Sequence, residues 1–502
     1  MSDQKNSSKL FFIPAILLVL LFCQFKPDPV TKKNTANRPN IIFILTDDQR
    51  FDMLGCAGNK IIVTPTIDKL AAKGVRFTHA FVTTPICAAS RASLFTGLYE
   101  RTHDYTFNKP PVKKEYSNNS YPYLLKQAGY RTGFVGKLGV NFEAPIDSLF
   151  SAKKINGFPY WKNINGTKTY LTDLQGQQAI SFIKESVGKI PFCLSLSFSA
   201  PHADDDSKEQ YFWPAYLDSL YAGVTLPIPS TADPAFYESQ PDFLKGTMSR
   251  ERWHWRFDTP EKFQQMVKGY YRMITAIDQT IASITKELTQ LGIADNTVIV
   301  FMGDNGYYLG DRGYADKWLM HDLSIRVPLI IYDPRKKTNP RKVIDDAVLN
   351  IDIAPTILDL VGLPIPKTIQ GKSLLPLMQA NKKNWNDTVF CEHLMNEPQI
   401  PNSECIRTKE WKYIRYPKHP EFIELYHLLS DPFEEHNVAA NPANKKRIAQ
   451  FNDACNKKIQ KLLANRVLPQ NLSTNAVQEL NTLQSLLTSV LRHNYPILHL
   501  AN

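Results

Sequence analysis

The chain has 502 residues, 43% hydrophobic and 21% charged, a composition that belongs to a folded globular protein and excludes a disordered, collagen-like or multi-span membrane chain. Its length allows two or more domains, or one large domain with an appendage. The net charge of +11 and isoelectric point near 9.1 suit an anionic partner, but no stretch resembles a nucleic-acid-binding module, so a polyanionic substrate is favoured and nucleic acid is not.

Lys5 and Lys9 precede an apolar run over 10–22, the right length for a signal-peptide core and too short for a membrane span. The protein is therefore expected to be exported, to a bacterial periplasm or cell surface. Leu20-Leu21-Phe22-Cys23 reads as a loose lipobox in which Cys23 would carry a membrane-attaching lipid, with removal of a plain signal over 1–23 as the equal alternative. A linker follows over 24–37.

From Pro39 the apolar runs alternate with helical patterns. Ile41 to Leu45 breaks off into Thr46-Asp47-Asp48, and a helix begins near Pro65 with Ile67, Leu70 and Ala71 on one face and Gly74 past its end. Pro85-Ile86-Cys87 leads into a further helix. Strands over 131–135, 192–198, 298–302 and 327–332 alternate with helices over 123–128, 171–187 and 262–291. Such alternation gives an α/β fold with a large, mostly parallel sheet flanked by helices over 38–380. The stretch 204–260, rich in Trp, Tyr, Pro and acidic residues, reads as an insertion over the sheet rim whose aromatics pack among themselves or stack on sugar rings. Short strands over 388–391, 403–407 and 412–415 predict a smaller C-terminal α+β subdomain with an antiparallel sheet over 381–465. A helical extension is expected over 466–502.

Parallel sheets gather ligands at the carboxyl ends of their strands, so the polar residues that follow the apolar runs should meet on one rim. Asp47, Asp48, Asp304 and Asn305 would form an oxygen-rich cluster suited to Ca²⁺ or Mg²⁺. Gly136-Lys137 and Ala200-Pro201-His202 end the runs between them. Cys87 opens a helix, where uncapped N–H groups favour an anion, and Arg91 lies one turn on along the same face. Singly, Asp-Asp reads as a solvated loop, Gly303-Asp304-Asn305-Gly306 as a tight turn and Cys87 as a buried structural thiol. Their joint occurrence at successive strand ends is what those readings leave unexplained.

Cys87-Ala88-Ala89-Ser90-Arg91, followed by a helix ending in Thr96-Gly97, resembles the Cys-x-Ala-x-Arg signature of the type I, formylglycine-dependent sulfatases of the alkaline-phosphatase-like superfamily. The resemblance runs from about Arg38 to Trp411-Lys412-Tyr413. It implies that Cys87 is oxidised to formylglycine (3-oxoalanine) by a formylglycine-generating or anaerobic sulfatase-maturating enzyme. It also implies that Cys87 joins Asp47, Asp48, Asp304 and Asn305 around a cation, with Ca²⁺ favoured over Mg²⁺. In that family the aldehyde hydrate attacks sulfur in line and later expels sulfate. Arg91 and Lys137 would stabilise the sulfate charge, while His202 and Lys317, in Ala315-Asp316-Lys317-Trp318, would serve the leaving alcohol. The chain departs from the family at Gly136-Lys137-Leu138-Gly139, where a histidine usual at position 139 is absent, and at Gly310-Asp311-Arg312-Gly313; Arg312 or His321 would then fill the histidine's role. His103, Asn108, Arg312, His321, His393 and Arg407, with Glu392 beside them, are the expected contacts for a sulfated carbohydrate, from algal polysaccharide or glycosaminoglycan. With Cys23 and Cys87 set aside five cysteines remain, an odd number that argues against a disulfide framework. A phosphodiesterase or phosphonate hydrolase on the same fold, or a non-catalytic lipoprotein that binds sulfated glycans, are the competing readings.

Overall fold

Ile41 to Leu45 becomes β1 (Asn40–Thr46), and its alternation decides the architecture: Ile41, Phe43 and Leu45 enter one apolar core while Ile42 and Ile44 enter another. A strand buried on both faces must lie inside a sheet covered by helices on both sides. The computed structural model describes residues 38–107, 110–336, 341–381, 385 and 387–466. The expected leader and linker, Cys23, Asn108 and the extension beyond Arg466 lie outside these residues.

In chain order the strands are β1, β2 (Val75–Phe81), β3 (Arg131–Gly136), β4 (Ala152–Ile155), a hairpin of β5 (Trp161–Ile164) and β6 (Thr167–Tyr170), β7 (Phe192–Ser197), β8 (Thr297–Gly303), the short pair β9 (Tyr308–Leu309) and β10 (Ala315–Asp316), β11 (Arg326–Tyr332), β12 (Val343–Ile344) and β13 (Val348–Leu349). The main sheet has the order β12-β2-β11-β8-β1-β7-β3-β4, with β13 also beside β2. Every pairing in it is parallel except those of β11, which runs antiparallel to β2 and β8. β2 and β4 are absent from the sequence expectation because neither is a continuous apolar run. Arg76, Thr78 and His79 interrupt the one, and the other shows Lys153 and Lys154 to solvent.

The helix Pro65–Lys73, the helix Leu171–Ser186 and the 31-residue helix Pro260–Gln290 cover one face. The last begins with Thr259 accepting from the Lys262 amide at 3.2 Å and proline in its first turn. Gly176 lets it approach Leu171–Ser186 closely, since a Cβ there would lie 2.4 Å from Thr280 Cγ2. No helix among the described residues is long and apolar enough to cross a membrane.

The C-terminal sheet is antiparallel, in the order β14 (Val389–His393), β15 (Ser403–Arg407), β16 (Trp411–Arg415), β17 (Ile423–His427). One face packs Phe390, Ile406, Tyr413 and Leu425 against Cys455, Ile459 and Leu462 of the helix Lys445–Ala464; the other turns Cys391, Cys405, Ile414 and Tyr426 into the main core. The sequence predicts neither β17 nor this helix. The Glu392 amide donates to Thr83 O at 2.8 Å, joining β14 to the chain just before Cys87.

Two buried carboxylates fasten this sheet to the body. Asp322 accepts from Arg407 Nε and Nη2, both at 3.0 Å, and from Lys412 Nζ at 2.5 Å. Burial would raise its carboxyl, but Arg407, Lys412 and Arg326 outweigh that and hold it well below the usual range. Arg407, expected as a sugar contact, is therefore spent on Asp322 and stacks over the Phe81 ring. Glu424 on β17 meets His321 Nε2 at 3.0 Å and accepts from the hydroxyls of Tyr416 and Tyr426, while His321 Nδ1 lies 2.6 Å from Tyr308 Oη. Against burial, His321 and Arg312 bring the Glu424 carboxyl down to about 2.

Replacing Asp322 by alanine would leave Arg407 buried without its paired carboxylate and Lys412 with Glu434 alone, and we expect a loss of about 3–5 kcal/mol in urea unfolding; an unchanged midpoint would contradict this account of the junction. Glu424 contributes stability above its unfolded pKa of 4.5, and that contribution is lost as pH falls towards the folded value of about 2. Glu424→Gln should therefore be less stable than the parent at pH 7, with the gap closing near pH 2; a gap independent of pH would remove the ionised carboxylate from the explanation.

Candidate active site

Four strands adjacent in the sheet, β8-β1-β7-β3, end at the same rim; polar residues follow β8, β1 and β3 at once, and β7 after a short loop. Asp47 and Asp48 follow β1, Asp304 and Asn305 follow β8, Lys137 follows β3, and His202 lies on the loop after β7. The Asp47 amide donates to Ala200 O at 3.1 Å, and the Asp304 amide to Thr46 O at 2.9 Å, so the loops continue the sheet's own ladder for a step. Gly136 is required ahead of Lys137: its φ is +103°, and a Cβ there would stand 1.9 Å from Ser197 O.

Cys87 begins the helix Cys87–Thr96 beyond β2, and no side chain caps that helix. Its free N–H groups thus form an electropositive end at Cys87. Burial pushes the thiol up, with Lys137 and Lys317 opposing and Asp47 and Asp304 adding to the shift, so the thiol lies within the field of the rim residues. Arg91, one turn on and wholly buried, spans the site. Its Nε donates to Asp304 Oδ2 at 2.8 Å, its Nη1 to Lys137 O and Ser197 Oγ, both at 2.5 Å, and its Nη2 stands 3.4 Å from Asp47 Oδ2. Ser90 Oγ donates to Asp304 O at 2.5 Å, and Asn350 Nδ2 donates to Ser90 Oγ at 3.0 Å. Ser197 and Asn350 are structural partners that the sequence motifs do not name.

Lys137 Nζ pairs with Asp47. Lys317 Nζ lies 2.6 and 2.7 Å from the two oxygens of Asp48, which also accepts from Asn305 Nδ2 at 2.6 Å. His202 Nε2 stands 3.5 Å from Asp48 Oδ2, and its Nδ1 lies 2.5 Å from Ala203 O. A carbonyl can only accept, so Nδ1 carries the hydrogen and Nε2 is the nitrogen that faces the site. Phe158 packs 5.4 Å from the imidazole, and Tyr160 Oη donates to Ser199 O at 3.0 Å and to His202 O at 2.5 Å.

Asp47, Asp48 and Asp304 are all buried. Burial would raise Asp47, but Lys137, His202, Arg91 and Lys317 together hold it well below the usual range. Burial raises Asp48 in spite of Lys317, and raises Asp304 to about 7 with help from Asp47 and Asp48. His202 is lowered to about 3, by burial and then by Lys317. At Asp48 and Asp304 burial thus outweighs the protein's own cations. Asp47 Oδ1 and Asn305 Oδ1 are moreover buried without a hydrogen-bond partner among the described residues. Such atoms are costly unless an electropositive group meets them, and an all-oxygen set from Asp47, Asp48, Asp304 and Asn305 fits Ca²⁺ or Mg²⁺. Ligand atoms of Asp47, Asp48 and His202 lie within 4.8 Å of one another.

The remaining expected contacts are placed elsewhere. His103 is wholly buried, with Nε2 3.0 Å from Ser93 Oγ and Nδ1 accepting from the Tyr105 amide, so it braces the helix Cys87–Thr96 and does not face a cleft. His321 is held by Tyr308 and Glu424 and so does not take the missing histidine's place, while Arg312 is buried near the rings of Phe236 and Tyr426. His393 is buried on β14, and neither ring nitrogen has a hydrogen-bond partner among the described residues; Glu392 pairs with Arg101 at 2.7 Å. At Gly139, the position of the absent histidine, φ is +65° and a Cβ would press on Arg91 Cδ at 3.0 Å, which suits glycine.

The sulfatase family model matches residues 39–363, and that of the N-sulphoglucosamine sulphohydrolase C-terminal region matches 310–461. An N-acetylglucosamine-6-O-sulfatase of Bacteroides thetaiotaomicron is 26% identical over 87% of this chain and 88% of its own. An ulvan-active sulfatase of Formosa agariphila is 28% identical over 91% and 88%. Among solved structures, a protein in complex with its substrate D-glucosamine-2-N,6-O-disulfate superposes with a TM-score of 0.71 at 23% identity, covering 87% of this chain and all of that one. A phosphonate monoester hydrolase from Silicibacter pomeroyi superposes at 0.72 with 21% identity, covering 84% and 96%. The fold is thus common to more than one activity, while the family match takes in the main sheet and every polar residue gathered at its rim: the chain belongs to the sulfatase family, and is a sulfuric ester hydrolase.

Proposed function

We propose that this enzyme hydrolyses sulfate esters on carbohydrates, with formylglycine made from Cys87 and a divalent cation, Ca²⁺ before Mg²⁺, held by Asp47, Asp48, Asp304 and Asn305. The observation that carries the reading is the convergence on one buried rim of three carboxylates, the Cys87 helix end and the cations Arg91, Lys137 and Lys317. When present, the formylglycine hydrate supplies the oxygen nucleophile and the cation draws charge from it and from the ester. Arg91 and Lys137 bring fixed positive charge to the sulfate oxygens without reorganising, because Asp304, Asp47 and Ser197 already hold them in place. Lys317 and His202 converge on Asp48 beside the leaving alcohol, where Lys317 is the proton donor and His202 lines the same side with its unprotonated Nε2.

The substrate class follows from the kinds of sulfated sugar named for the relatives, glucosamine derivatives and ulvan, and from the basic chain. Glycosaminoglycan fragments and algal polysaccharide are the two sources. Export is supported by Lys5, Lys9 and the apolar run after them, with attachment through a lipid on Cys23 or release after 1–23. A maturation enzyme that oxidises Cys87 is the implied partner.

Expressed with a maturation enzyme, the protein should release sulfate from at least one member of a panel of sulfated glucosamines and ulvan oligosaccharides. Mass spectrometry should find formylglycine at position 87. Cys87→Ala should lower the rate by at least about a thousandfold; undiminished release from that variant, or cleavage of a phosphonate monoester in place of every sulfate, would overturn the assignment. Calcium at a hundredfold excess over its Kd should stabilise the fold by about 2.7 kcal/mol in a thermal melt. The shift should vanish in Asp47→Asn, and its absence with both calcium and magnesium would refute the cation site.

A further inference from the structure

Lys317 is flanked by Asp316 and Trp318, whose φ values are +67° and +82°. Left-handed backbone on both sides of a working side chain persists only where the surroundings over-determine it. Asp316 is wholly buried, accepts from Arg252 Nη1 at 2.5 Å and stands 3.3 Å from Arg256 Nη1. The same two guanidinium groups hold Asp205, three residues beyond His202: Arg252 Nη2 lies 2.9 Å from Oδ2, and Arg256 Nη2 pairs with Oδ1. Both arginines belong to the helix Met248–Arg256 of the insertion, four residues apart and so on one face. Arg256 is itself fixed, donating through Nε to Gln210 Oε1 at 2.7 Å and through Nη1 to Tyr307 Oη at 2.9 Å.

We propose that Arg252 and Arg256 are positioning residues that clamp the His202 loop to the Lys317 loop and so set the spacing of the two groups that serve the leaving alcohol. The inference rests on the roles given above to His202 and Lys317. A planar guanidinium can engage two carboxylates at once through a rigid fork, which a lysine at either position cannot reproduce. The insertion thereby reaches the chemistry through Asp205 and Asp316, and a small misplacement of either loop falls on protonation of the leaving group more than on attack at sulfur.

The test compares two leaving groups. A sugar alkoxide needs a proton to depart, whereas p-nitrophenolate leaves without one. For Arg252→Lys, Arg256→Lys and His202→Ala, kcat and KM are measured on the sugar sulfate cleaved in the panel above and on p-nitrophenyl sulfate, with a thermal melt for each variant. Each variant should lose about 100-fold in kcat on the sugar ester and less than about tenfold on the aryl ester. An arginine variant that loses both activities equally, or neither, overturns the clamp. If His202→Ala is selective and the arginine variants are not, the clamp alone falls; if His202→Ala is itself unselective, the leaving-group roles fall and the clamp with them. Should an arginine variant fail to fold, Asp205→Asn, at the half-exposed end of the clamp, carries the same comparison.

Discussion

Asp47, Asp48 and Asp304 place three carboxylates side by side where water is excluded, and unit charges 4 Å apart repel by about 4 kcal/mol even at an effective dielectric of 20. The surrounding structure is arranged around that repulsion. Arg91 comes from the helix after β2, Lys137 from the end of β3 and Lys317 from the segment between β10 and β11, each meeting a carboxylate that follows β1 or β8. The charge balance therefore ties together elements far apart in sequence. Among the described residues it also leaves Asp47 Oδ1 and Asn305 Oδ1 facing no donor, an arrangement that suits the cation proposed there.

The segment between β8 and β11 is the hinge of this arrangement. It carries Asp304 and Asn305 at one end, Lys317 in the middle, and His321 and Asp322 at the other. Its near end belongs to the rim and its far end to the ion pairs that seat the C-terminal sheet. Lys412, buried on β16, donates to Met320 O at 3.0 Å as well as to Asp322, so the sheet grips the backbone three residues from Lys317. Docking of the C-terminal sheet and placement of Lys317 are thereby coupled.

The rim was legible in the sequence because a strand buried on both faces is a bare apolar run, and polar residues at its end have few places to go. The ion pairs were not. His321 and Arg407 stand near recognisable motifs, but their partners Glu424 and Asp322 lie about 100 and 85 residues away, and nothing in a histidine's neighbours tells whether its nitrogens are satisfied inside the protein. His103 misleads in the same way, lying just past the helix Cys87–Thr96 and yet turned into the core. The helix Lys445–Ala464 had a readable signal in Ile448, Phe451, Cys455, Ile459 and Leu462 at helical spacing, obscured by the lysines between them. Arg252 and Arg256 likewise stand four residues apart, in a stretch whose aromatics read as stacking surfaces.

Cys87 is only 8% exposed, and much of what encloses it is made late: β8, Lys317 and Trp318 stand more than 200 residues downstream. At synthesis rates of about 5–20 residues per second, roughly 230 residues take about 10–50 seconds to follow it out of the ribosome. Through that interval the thiol sits on an unfinished chain, reachable by other macromolecules, and once the sheet closes it is sealed. The order of strands in the sheet thus sets a clock for the oxidation proposed for Cys87: agents that hasten folding of this chain would shorten the interval in which an enzyme can reach the thiol.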